Sequence, residues 1–169
     1  MSRLEGLDLA ETALGLLGRA GATLAVAESL TGGLVGAILT SVPGASASFR
    51  GGLVVYATDL KATLAAVPED LLATEGPVSR QTAEAMAAGV RTRLGADWGL
   101  ALTGVAGPEP QDEQPVGTVH VALSGPHGGD PQVRSMVFAG DRAEIRDAAA
   151  AAALQLVVQT LDPQAATTR

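Results

Sequence analysis

Cysteine is absent from the sequence, which excludes a disulfide scaffold, a thiolate nucleophile, an iron–sulfur cluster and every zinc site built on Cys. Histidine is scarce, with only His120 and His127, too few for a His-rich metal site. No long apolar run exists either. Asp8, Glu11, Arg19 and Glu28 break the longest stretches, far short of the about 20 uninterrupted apolar residues of a membrane span. The opening Met-Ser-Arg-Leu-Glu-Gly-Leu-Asp has acidic residues where a secretion signal carries its apolar segment, so a cytoplasmic protein is expected. Positive charge is in deficit: eleven Lys and Arg against eighteen Asp and Glu leave a net charge of −7, with a pI near 4.7. That balance argues against nucleic acid as a partner, since its phosphate backbone calls for a basic face. A small anionic ligand held by local positive groups stays open.

Lysine is the most informative shortage. Ten of the eleven basic residues are arginine, and Lys61 is the only lysine. Arginine stays protonated at any accessible pH, whereas a desolvated lysine can lose its proton and act as a base. Two roles are therefore open to Lys61, an ordinary surface cation or a chemical group.

What is present reads as one α/β domain over residues 1–163 with a disordered tail at 164–169. With 169 residues, folding can bury roughly 70% of the surface of the unfolded chain. Leu4, Leu7, Ala10, Leu14 and Leu17 lay a stripe along a first helix ending near Gly18 or Gly21. Strands are predicted at Thr23–Ala27, Leu53–Ala57, Gly99–Val105, Val119–Leu123 and Val133–Phe138, five in all. Helices are predicted over 31–41, with Thr31 as a cap, over Asp59–Ala66, after Pro68, and after Ser79, where Ala83, Met86, Val90 and Leu94 share a face. Asp141 and Glu144 resemble a capping box before a final helix with Ile145, Ala149, Ala152 and Leu156 inward, stopped by Pro163. The last two strands read as a hairpin, so the sheet is expected to be mixed. Residues 107–117 carry three prolines and no apolar period, and form a loop at the rim of a site.

In open α/β sheets ligands bind beyond the carboxyl ends of the strands. The first strand delivers Glu28, Ser29, Thr31, Gly32 and Gly33 there, the second Tyr56, Thr58, Asp59 and Lys61, the third Thr103 and Gly104. A Ser-Leu-Thr-Gly-Gly turn before a helix offers N–H groups to a phosphate or an oxyanion, although Ser and Thr at such a turn also serve as caps. For Ser29 to be a nucleophile a base must stand within reach. His120 lies inside a strand and His127 in a hairpin turn, which leaves Lys61, its pKa lowered by burial or by a positive neighbour such as Arg50. Glu28 and Asp59 form a competing carboxylate pair. Glu28 should diverge from Ser29 and take a backbone or Arg partner, and Asp59 is expected to cap its helix. Tyr56 can stack on a planar ring or pack half-buried, and Trp98 reads as packing.

The segments Ala-Glu-Ser-Leu-Thr-Gly-Gly-Leu (27–34), Val-Pro-Gly-Ala-Ser (42–46), Phe-Arg-Gly-Gly-Leu-Val-Val-Tyr (49–56) with Lys61, Leu-Thr-Gly-Val-Ala-Gly-Pro (102–108) and Pro-Val-Gly-Thr-Val (115–119) resemble the C-terminal domain of the CinA competence/damage-inducible proteins. The resemblance runs from about residue 7 to 160. It implies a three-layer α/β/α sandwich around a mixed, mostly parallel sheet, and the activity of a nicotinamide-nucleotide amidohydrolase, which turns nicotinamide mononucleotide into nicotinate mononucleotide and ammonia with neither metal nor other cofactor. It makes Ser29 the nucleophile and Lys61 its base. It places Tyr56, Thr31, Thr103 and Gly104 at the substrate, with N–H donors from Gly32 and Gly33, and makes Arg142 a further substrate-binding residue. A small-molecule nucleotide is the expected partner, a homodimer stays open, and no membrane partner is expected. Many relatives carry an additional N-terminal domain of molybdopterin-binding type, for which no counterpart is expected here.

One departure stands out: where the family continues with glycines, this chain has Glu109, Pro110, Gln111, Asp112, Glu113 and Gln114. Three carboxylates then lie beside a site for an anion, costly if they face the pocket and neutral if they face solvent. Two rivals to the amidohydrolase remain: a non-catalytic module that binds a nucleotide or a protein, and an amidase for another amide.

Overall fold

The computed structural model describes residues 3–126 and 129–162. The Leu4 side chain, His127, the stop at Pro163 and the tail 164–169 lie outside what it describes. The first helix, α1 (Arg3–Ala20), buries Ala10, Leu14 and Leu17, as the three-and-four spacing requires. It ends at Gly21, whose φ of 60° is open to glycine without a Cβ penalty. Gly21 N–H donates to Gly18 O and Ala22 N–H to Leu17 O, the paired bonds of a Schellman stop.

The chain continues through β1 (Leu24–Glu28), α2 (Leu34–Thr40), a short 3-10 turn (Ala45–Ala47), β2 (Phe49–Val54), α3 (Thr58–Thr63), α4 (Glu69–Glu75) and α5 (Arg80–Arg93). Then come β3 (Trp98–Gly104), β4 (Thr118–Ser124), β5 (Gln132–Val137) and α6 (Arg142–Leu161). The strands form one sheet in the order β2-β1-β3-β4-β5. β1 is parallel to β2 and to β3, while β3–β4 and β4–β5 are antiparallel. The sheet is therefore mixed, with two pairings of each kind. β1 is buried along its whole length, which fits its run of apolar residues without alternation.

Helices cover both faces. On one, α1, α2 and α6 pack against Leu24, Val26, Leu100, Leu102, Val119 and Val121. On the other, α5 and the α3–α4 segment pack against Ala25, Ala27, Ala101 and Ala122. The second face is paved with small side chains, so α5 approaches closely. A Cβ on Gly99 would stand 2.1 Å from Ala87 O, nearer than any such pair of atoms tolerates. Ser79 caps α5 through Thr82 N–H, and Asp141 with Glu144 forms the expected capping box on α6. Among the described residues, no helix is long and apolar enough to cross a membrane.

Several boundaries differ from expectation. α2 begins at Leu34, not Thr31, because Gly32 and Gly33 sit at φ of 60° and 99°, outside the helical region. Thr31 is accordingly not the cap; Gly33 occupies that position with no side-chain bond of its own. β2 starts four residues and ends three residues earlier than the apolar pattern suggests. Its pairing with β1 closes with Val55 N–H on Glu28 O, after which the chain turns outward at Tyr56. α3 has Ala57 at its N-cap, so Asp59 lies in its first turn and does not cap it.

Candidate active site

The carboxyl ends of β1, β2 and β3 open into a cavity of about 320 Å³. Ser29 follows the last residue of β1, held by its N–H on Leu102 O of β3. Lys61 reaches it from α3. Its Nζ lies 3.0 Å from Ser29 Oγ and 3.0 Å from Val55 O, and both residues line the cavity. Lys61 is only 2% exposed, and burial lowers its pKa from 10.5 to about 8. Desolvation disfavours the ammonium, and that is the whole cause. The expected help from Arg50 is not found: its Nε donates to Leu94 O. A neutral Lys61 amine that keeps one N–H on Val55 O turns its lone pair to the Ser29 hydroxyl, the geometry a general base needs.

Tyr56 and Arg142 also line the cavity. Arg142 Nη2 donates to Tyr56 Oη at 3.0 Å and its Nη1 to Gly107 O at 2.6 Å. That cation is thereby fixed at the mouth of the cavity while Tyr56 stays 60% exposed, its ring available for stacking. Leu30, Pro77, Val78, Ala106 and Gly104 supply much of the remaining lining. Leu30, Pro77, Val78 and Ala106 were not expected there, since apolar lining leaves no polar signature in a sequence.

The turn residues take other roles. Gly32 N–H donates to Ser29 O and Gly33 N–H to Glu28 Oε2, so neither is free to meet a substrate oxyanion. Thr31 is fully buried with an unpaired hydroxyl, outside the cavity lining. Thr103 also lies behind the wall, its hydroxyl donating to Pro77 O at 2.6 Å. Glu28 diverges from Ser29 as extended backbone demands. Its carboxylate accepts from the N–H groups of Gly33, Val35 and Gly36 at 3.0, 3.1 and 2.8 Å, serving the helix start that Thr31 does not. Arg146 on α6 completes the turn, with Nε on Leu30 O and Nη2 on Thr31 O.

Of the three loop carboxylates one lines the cavity: Glu109, together with Gln111. Asp112 and Glu113 form a two-residue turn at φ of 48° and 63°, closed by the reciprocal bonds of Gln111 and Gln114, and are exposed. His120 is remote from the cavity, bonded through Nδ1 to Ser135 Oγ. Its pKa is lowered by burial and then by Arg80.

The chain matches the CinA C-terminal domain over residues 7–161. It is 60% identical over 148 residues to a CinA-like protein of Frankia casuarinae, covering 88% of this chain and 34% of that protein. It is 48% identical over 166 residues to one from Myxococcus xanthus, covering 95% and 39%. The chain thus spans little more than a third of the length of these relatives. Among solved structures, competence/damage inducible protein CihA from Agrobacterium tumefaciens superposes with a TM-score of 0.88 at 36% identity, covering 94% of this chain and 96% of that one. A competence or damage-inducible protein from Enterobacter asburiae gives 0.89 at 30%, covering 93% and 98%.

Proposed function

The chain belongs to the CinA C-terminal domain family, and from that premise we propose that it is a metal-independent, cytoplasmic amidohydrolase acting on nicotinamide mononucleotide. The observation that carries this reading is the 3.0 Å contact between Lys61 Nζ and Ser29 Oγ at a cavity wall. A lysine with a pKa of about 8 is partly neutral near physiological pH and can take a proton from a hydroxyl.

In this mechanism the carboxamide carbon approaches Ser29 while the pyridine ring lies against Tyr56 and the phosphate meets Arg142. Ser29 Oγ attacks the carbonyl carbon as Lys61 takes the hydroxyl proton. The tetrahedral adduct breaks its C–N bond, Lys61 returns the proton to the leaving nitrogen, and ammonia departs from a Ser29 ester. Water then attacks the ester, giving its proton through Lys61 to Ser29 Oγ, and releases nicotinate mononucleotide. The substrate is a small nucleotide, and neither nucleic acid nor membrane takes part.

The test is ammonia release from nicotinamide mononucleotide by purified protein, expected to be unchanged by EDTA and abolished by Ser29→Ala. The Ser29 side chain caps no helix here, so this variant should stay folded. Turnover retained in the variant would remove Ser29 from the reaction, and no turnover by the wild type on this or other amides would favour a binding module.

A further inference from the structure

We propose that Arg146 is a positioning residue for the hydrolysis, holding the nucleophile turn through two main-chain carbonyls; the proposal rests on the Ser29–Lys61 reading above. Arg142 and Arg146 stand one helical turn apart on α6 and do different things. Arg142 reaches the cavity mouth, whereas Arg146 reaches past it to the backbone just after Ser29, with Nε 3.0 Å from Leu30 O and Nη2 2.8 Å from Thr31 O. Leu30 lies between the last residue of β1 and the first of α2, so neither a strand ladder nor a helix serves its carbonyl. The guanidinium does.

Because peptides are planar, fixing two successive carbonyls fixes two successive peptide planes. Ser29 itself is tied by its N–H on Leu102 O and its carbonyl under Gly32 N–H. From Gly33 onward, Glu28 holds the chain through the N–H groups of Gly33, Val35 and Gly36. The stretch between these two anchors is the Leu30–Thr31 segment, and Arg146 holds it from a position 115 residues further along the chain. The guanidinium lies directly over the turn: a Cβ on Gly32 would be in ordinary van der Waals contact with Arg146 Nη2, at 3.7 Å. Among the described residues the one ion pair is Arg80–Glu84, so the charge of Arg146 goes into charge-assisted bonds to these carbonyls, which a planar fork with two parallel donors suits and an ammonium does not. Without it Thr31 O keeps its bond from Leu34 N–H at 3.2 Å but Leu30 O, the carbonyl next to Ser29, loses the Arg146 donor, and Ser29 Oγ drifts from Lys61 Nζ. A displacement of about 1 Å is worth about a hundredfold in rate.

The experiment measures the reactivity of Ser29 with an alkyl fluorophosphonate, in which the Oγ–P bond forms, fluoride leaves and Lys61 takes the hydroxyl proton. Wild type should be labelled and Lys61→Ala should not. Arg146→Ala and Arg146→Lys should label about ten- to a hundredfold more slowly. Guanidinium chloride at about 50 mM, too dilute to unfold a domain, should restore much of the rate of Arg146→Ala where the same concentration of NaCl does not. With nicotinamide mononucleotide the loss should fall on kcat, with KM within about threefold of wild type. Labelling of either variant within about threefold of wild type, or no advantage of guanidinium over NaCl, overturns the proposal. If Arg146→Ala does not fold, the labelling rate of Arg146→Lys decides. An unlabelled wild type overturns the Ser29–Lys61 reading itself, whereas a labelled wild type with unaffected Arg146 variants overturns only the role of Arg146.

Discussion

At the scale of single residues, Lys61 is a cation placed where a cation is costly. It is buried, its amine bonds to a hydroxyl and a carbonyl, and burial alone sets its pKa near 8. Such a group suits proton transfer better than charge attraction. kcat/KM should therefore rise with pH through about 8 as the ammonium deprotonates, and Lys61→Arg should be nearly as inactive as Lys61→Ala, since guanidinium does not give up its proton. Rates of the Arg variant from about pH 6 to about pH 9 decide this: activity within about tenfold of wild type would make charge the contribution of Lys61. Lys61 and Ser29 were legible beforehand because each is unusual for its surroundings, a lone lysine after a strand and a serine before a glycine pair. Arg146 was not, because its partners are main-chain carbonyls, which carry no residue identity. Thr31 does not cap α2 although its residue type suits a cap, because the left-handed backbone at Gly32 and Gly33 moves the helix start beyond its reach.

At the scale of elements, the 107–117 loop shows what a pattern can and cannot reveal. Three prolines and a missing apolar period located it at the rim. Which of its carboxylates meets the ligand depends on a turn in which Asp112 and Glu113 both take positive φ, a conformation that Asp tolerates but that is uncommon for Glu. The outcome separates the acids: Glu109 lines the cavity with Arg142 and Lys61, and the turn carries the other two into solvent. Replacing Glu109 with Gln should lower KM for nicotinamide mononucleotide severalfold at low salt with little change in kcat, because a carboxylate in a cavity that receives a phosphate weakens ground-state and transition-state binding alike. The Asp112→Asn, Glu113→Gln double variant should leave KM within about twofold. A drop in KM for the double variant and none for Glu109→Gln would assign the two positions the opposite way.

At the scale of the whole molecule, the layered architecture was the most legible feature, since apolar spacings of three and four mark the helices and unbroken apolar runs mark β1 and β3. The closeness of α5 was less so. It comes from Ala25, Ala27, Ala101, Ala122 and Gly99 acting together across three strands, a match that becomes visible only once the register is known. Lys61 is buried at the edge of this architecture, against Ser29 and Val55, at a cost that the entire fold bears. The folded pKa of Lys61, about 8, lies below its ordinary value of 10.5, so between these values the unfolded chain holds a proton that the folded protein has released. Stability from this group therefore rises with pH across that window, by about 3 kcal/mol in all at 1.36 kcal/mol per pH unit. Below the window both states are protonated and the burial cost is constant. Lys61→Met removes the titration and leaves every other group in place, so the remaining pH dependence cancels in the comparison. Urea unfolding of both proteins at several pH values should show the wild type gaining on Lys61→Met by up to about 3 kcal/mol between about pH 7.5 and about pH 10.5. A difference that stays flat across this range would mean that the Lys61 amine is solvated in the folded protein and that no buried base stands beside Ser29.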